Sequence, residues 1–187
     1  MEGRALKSQW KRGVLILSIV LNFIFVAIAY SSYYGKEQLK KNIISNYIYN
    51  QANERDLLKL ALTNKEKKEE FVGNISFART LIFENRNIVT NGSPLGSYVN
   101  LYENQWLDLF EKQKDDVLRS IQTRAVKGEL SQDDYNKILK IIGELDKYYM
   151  SMDVHDKNLN KESVKKLSDK IEAAIKKVIE EGSSSAK

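Results

Sequence analysis

Hydrophobic residues fall along this chain in one continuous run and several periodic ones. From residue 14 to residue 34 the stretch VLILSIVLNFIFVAIAYSSYY is nearly unbroken, with Asn22 the only strongly polar side chain before the closing serines and tyrosines. A helix rising ~1.5 Å per residue over that length covers the ~30 Å of a bilayer core. Further along, apolar residues step by three and four. Tyr135, Ile138, Ile142, Leu145, Tyr149 and Met152 form one seam, and Val164, Leu167, Ile171, Ala174 and Val178 form another. Such narrow stripes pack antiparallel helices with knobs into holes.

Start and stop signals agree with this periodicity. Ser131 can cap the first of these helices, with Leu130 and Tyr135 placed as a hydrophobic staple, and Asn160 can cap the second, with Leu159 and Val164 in the same roles. Gly128 and Gly182 stand where left-handed C-terminal caps are expected. Upstream, residues 36–62 read as a helix continuing out of the apolar run, although IISNYIY at 43–49 has the β-branched and aromatic content of a strand. A helix over about 65–85 should bury Phe71, Ile75, Ala78 and Ile82, and a long one should span about 98–127. Between them NIVTNGSPLGS is the clearest loop, and the final GSSSAK has the composition of a disordered tail. The fold class expected is all-α: a single N-terminal transmembrane helix followed by an antiparallel four- or five-helix bundle. In outline this resembles the helical ectodomains of bacterial membrane sensors, a likeness of architecture that carries over no residue and no activity.

The apolar run has two readings. Ala27-Ile28-Ala29 has the small-x-small form of a signal-peptidase site behind a basic flank, which predicts a secreted helical protein. Against this, Phe25 and Val26 continue the apolar helix straight into that site. Trp10, Lys11 and Arg12 on one side and Tyr30, Tyr33 and Tyr34 on the other are placed as interface anchors. The retained anchor is therefore favoured. Arg4, Lys7, Lys11 and Arg12 precede the span, so the N-terminus is expected in the cytoplasm. The chain then divides into a short basic cytoplasmic head (1–13), the anchor (14–34), an extracytoplasmic helical domain (35–182) and a tail (183–187). Asn22, with Ser18 and Ala29 near its helical face, is the candidate contact to another transmembrane helix.

Charge changes the picture less than its total implies. Of the net +5, the head supplies +3, leaving +2 for the body, whose lysines alternate with acids as in NKEKKEE. That lacks the clustered basic face of a nucleic-acid binder, and no nucleic-acid partner is expected. With no cysteine, disulfides, zinc knuckles and thiol nucleophiles are excluded. Zero cysteine outside the membrane is familiar in Gram-positive envelope proteins, and the many Lys, Asn, Ile and Tyr residues suit a bacterium of low genomic GC, an association of composition alone.

Candidate chemistry is sparse. His155 is the only histidine, and DVHDKN around it lacks the glycine and ligand spacing of a calcium loop. Neighbouring carboxylates such as Asp115 with Asp116 and Asp133 with Asp134 diverge by ~100° on a helix and read as solvated surface, the second pair also favouring a helix N-terminus. No catalytic, cofactor or metal-binding residue is assigned. Two functions remain: a membrane-anchored interaction or sensor-like protein, docking on another membrane or envelope protein or on a second copy of itself, and a glycan-cleaving cell-wall enzyme using an acid such as Glu103 or Glu162. The enzyme needs a cleft, and narrow helical seams predict none. On the third helix Val99, Trp106, Phe110, Val117 and Ile121 should share a buried face, with Tyr98, Tyr102 and Leu109 beside it as the candidate partner-binding patch.

Overall fold

A computed structural model describes residues 2–91, 101, 104–152 and 162–184, with side chains described at 17–90, 101, 104–152 and 162–182. Among these residues there are five helices and no strand: α1 (Glu2–Thr63), α2 (Lys68–Asn91), α3 (Gln105–Lys127), α4 (Gln132–Met152) and α5 (Val164–Ser184). Residues 43–49 are helical, because their apolar members fall on the helical period. Ile44, Tyr47 and Ile48 are all buried on one side of α1.

The chain divides into two compact units, Met1–Leu39 and Lys40–Lys187. The first is the N-terminal part of α1. Its apolar side chains face outwards, with Phe23 73 % and Val26 66 % exposed. Among the described helices α1 is the one long and apolar enough to cross a membrane.

The second unit is an all-α bundle. Arg79 with Asp115 and Arg86 with Asp108 run in opposite senses along α2 and α3, which are therefore antiparallel. Tyr149 to the Ile48 carbonyl and Arg55 to Asp146 do the same for α1 and α4. Lys147 pairs with Glu181, and Glu144 lies near Gly182, setting α5 antiparallel to α4. The core carries the expected residues. Phe71, Ile75, Ala78 and Ile82 are fully buried, and both predicted seams are at least partly so. Ile141, Tyr148 and Ile175 widen the α4 and α5 stripes beyond those seams.

The α3–α4 corner is built from local polar contacts. Gly128 has φ 75°, and the Gly128 and Glu129 amides donate to the Ala125 and Arg124 carbonyls, closing α3 in a left-handed cap. Asp134 accepts from both the Ser131 amide and its hydroxyl at 2.9 Å, while Ser131 Oγ faces the Asp134 amide at 3.4 Å, a reciprocal capping box. Arg124 from the end of α3 closes on the same carboxylate.

Four expectations are corrected. α2 continues to Asn91, past the expected end near residue 85. α3 begins at Gln105 rather than near 98, because Asn104 adopts extended backbone and its side-chain oxygen accepts from the Trp106 and Leu107 amides. Gly182 is not a cap, since α5 runs on through Ser184 into the stretch expected to be a disordered tail. Asp115 and Asp134 are not solvated surface: each is buried against arginine.

Candidate functional site

The face of α3 that enters the bundle is not purely apolar. Phe110 and Ile121 are buried as expected, but Trp106 and Val117 lie at its margin, and its centre carries Glu111, Lys114 and Leu118. Seven residues separate Tyr47 from Glu54, two turns of α1, so Tyr47, Gln51 and Glu54 form a polar column, all fully buried. The two sets meet. Lys114 Nζ donates to Gln51 Oε1 at 2.8 Å and to Glu54 Oε2 at 2.7 Å, and stands 3.0 Å from Glu111 Oε2. Tyr47 donates to Glu111 Oε1 at 2.8 Å, and Gln51 Nε2 donates to the same oxygen. The ammonium also lies 4.4 Å from the centre of the Phe110 ring.

Electrostatics at this cluster are strongly perturbed. Burial drives the Glu54 carboxyl upward, Lys114 opposes the shift and Glu111 adds to it, leaving it at about 7. Burial alone would lower the Lys114 ammonium, but the Glu111 and Glu54 carboxylates outweigh it and raise it. Burial holds the Tyr47 phenol well above its ordinary range, with Glu111 adding to the effect, so it remains a neutral donor. Among the described residues, Glu54 Oε1, Glu111 Oε2 and the Tyr148 hydroxyl are buried without a hydrogen-bond partner.

Beside the cluster a groove of about 610 Å³ opens between α3, α4 and α5, walled by Phe110, Lys114, Val117, Ile141, Glu144 and Val178 among others. It overturns the expectation that narrow seams leave no cleft. Burial raises the Glu144 carboxyl within it, with Lys140 and Lys114 opposing. A second groove, of about 460 Å³, lies between α1 and α2 over Leu57, Leu60, Phe77 and Leu81, and here Phe77 is 65 % exposed.

The residues singled out from sequence are scattered. Tyr98, Tyr102, Val99, Glu103, His155 and Asn160 lie outside the described residues, and Leu109 is partly exposed on α3. Trp10, Lys11 and Arg12 are in α1, with side chains outside the described ones, while Tyr30, Tyr33 and Tyr34 are exposed, the first and last stacked at 6.5 Å. Ser18, Asn22 and Ala29 are exposed in the same unit, and the Asn22 amide donates to the Ser18 carbonyl at 2.9 Å. Glu162 is paired with Lys166 and Lys170, and hydrogen bonding to Lys170 first holds its carboxyl below the ordinary range, opposite to what a general acid needs. The buried cluster was not foreseen. Its one signal in the sequence is Glu111 and Lys114, three apart, on the face between Phe110 and Leu118.

No family model matches the chain, and neither a curated protein nor a solved structure matches it.

Proposed function

We propose that this chain is a non-catalytic, membrane-anchored helical module of the bacterial cell envelope. Its N-terminus lies in the cytoplasm and its bundle outside, where it docks on another membrane or envelope protein. The observation that carries the reading is the continuity of α1: one uninterrupted helix holds both the outward-facing apolar stretch and the buried column at Tyr47, Gln51 and Glu54. A cleaved signal peptide needs an extended segment at its processing site, and α1 runs helical through Ala27-Ile28-Ala29. For docking, the open α1–α2 groove at Leu60 and Phe77 offers apolar surface of the kind that receives a partner's amphipathic helix.

N-terminal sequencing of the membrane fraction tests the anchor. The intact N-terminus is expected, and a mature chain beginning at Tyr30 would reverse the reading. Docking is tested by a photo-crosslinker at Phe77 and, in a second chain with the crosslinker moved to Leu60, by the variant Phe77→Ser. Because Phe77 is exposed, its loss should shift stability by no more than ~0.5 kcal/mol while abolishing the crosslinked product formed in membranes. Unchanged product with Phe77→Ser, from the crosslinker moved to Leu60, would remove the groove from the docking surface.

A further inference from the structure

The cluster around Lys114 is short of one positive charge. Glu54 and Glu111 bring two carboxylates and Lys114 one ammonium, with side chains at most 1 % exposed. The remaining polar members, Tyr47 and Gln51 from α1, are neutral. From α4 come the Tyr148 hydroxyl and, on the groove side of Lys114, the Glu144 carboxyl, which only deepens the deficit. Among the described residues, no interaction joins a charged group of α2 or α5 to Glu54. An uncompensated carboxylate in such surroundings is neutralised rather than kept ionised.

The geometry decides which carboxyl takes the proton. Glu111 is held by Tyr47 and Gln51 on one oxygen and faces Lys114 with the other. Among the described residues each carboxyl has one oxygen that accepts no hydrogen bond, Glu54 Oε1 and Glu111 Oε2, but the other oxygen of Glu54 has Lys114 alone where that of Glu111 has two donors. Fewer donors to the charged form leave Glu54 the more readily protonated. Lys114 and Phe110 also wall the groove between α3, α4 and α5, which brings solvent to the edge of the cluster. We infer that the Glu54 carboxyl is a proton-binding site that controls how firmly the C-terminal part of α1 is held against α3. With the proton on, the cluster is neutral and the helices close; with it off, a buried negative charge remains, relieved when α1 parts from α3 and water enters. This holds whether or not the chain docks on a partner.

The direction in pH follows from the raised carboxyl. Its contribution is fully present below the ordinary value of 4.5 and is lost as pH rises through about 7. Hydrogen exchange of the full chain in detergent micelles, corrected for intrinsic rates, should show the α1 amides between Ile44 and Ala61 opening at least about tenfold more at pH ~8.5 than at ~5.5. Glu54→Gln should flatten that dependence. Equal protection at both pH values in the unaltered chain, or the same slope in Glu54→Gln, overturns the inference. Should Glu54→Gln fail to fold, carboxyl-carbon NMR of the unaltered chain decides. A glutamate titrating near neutrality and persisting in Glu144→Gln supports the site, whereas none there, or one that vanishes with Glu144→Gln, sinks it.

Discussion

Near its start, α1 deals with a polar side chain by folding it back on itself: Asn22 donates to the Ser18 carbonyl one turn earlier, at 2.9 Å. Farther along the same helix, Gln51 and Glu54 accept from Lys114 on α3 at 2.8 and 2.7 Å. The difference lies in what surrounds the helix. Where apolar side chains face outwards, a polar group has only its own backbone to bond within the chain. Where three helices converge, it can recruit partners more than fifty residues away. A local bond can be lost without disturbing the fold, whereas a bond across helices becomes part of the packing itself.

The strongest way to break the contrast is Lys114→Met. It leaves the Glu54 and Glu111 carboxylates buried without their cation, and should destabilise the bundle by about 3–5 kcal/mol in urea unfolding. Adding Glu54→Leu should recover more than half of that loss, because Glu111 keeps Tyr47 and Gln51. If the double variant is no more stable than Lys114→Met, the deficit lies in packing rather than in stranded charge.

A smaller effect is expected at the α3–α4 corner, where a buried carboxylate is served by near neighbours. Asp134→Ala removes the cap on Ser131 and the ion pair with Arg124, and should cost about 2 kcal/mol. Hydrogen bonding to Arg124 holds this carboxyl down at about 2, from an ordinary 3.8. Its contribution is therefore present above 3.8 and lost as pH falls through about 2. The unfolding curves of variant and unaltered chain should converge in acid, and a constant gap between them would assign the loss to the cap alone.

The same distinction between local and distant partners explains what could be read from sequence. The seams of α4 and α5 were legible, since Ile138, Leu145, Ile171 and Val178 meet apolar neighbours and need only the right spacing. So was the α3–α4 corner in outline, because Gly128 and Ser131 act within a few residues of themselves. The start of α3 was misplaced although Asn104 is a strong capping residue, because Tyr98, Val99 and Tyr102 continue the apolar period upstream of it. Glu54 was illegible, and Lys114 was marked only by standing three residues after Glu111 on the face between Phe110 and Leu118. Glu54 and Lys114 each sit among charged residues, in NERD and EKQKDD, and the meeting of α1 with α3 distinguishes them from surface. The groove between α3, α4 and α5 was likewise hidden, since it depends on how α5 is set against α4 near Gly182 and Glu144.

The finest test concerns whether the local bond at Asn22 is sufficient. Its donation to Ser18 satisfies one amide hydrogen, and among the described residues the side-chain oxygen has no partner. On the proposed anchoring that oxygen meets no water in the bilayer, so a second transmembrane helix is the remaining source of a donor. Ser18 lies four residues before Asn22 and Ala29 seven after, so small side chains border the amide and permit close approach. Energy transfer between labelled copies in vesicles should therefore weaken in Asn22→Leu by an amount corresponding to ~0.6–2 kcal/mol of association, with urea unfolding of the bundle unchanged. Equal transfer in both chains would mean that the turn back to Ser18 is enough, and that the proposed anchor has no helical partner at this depth.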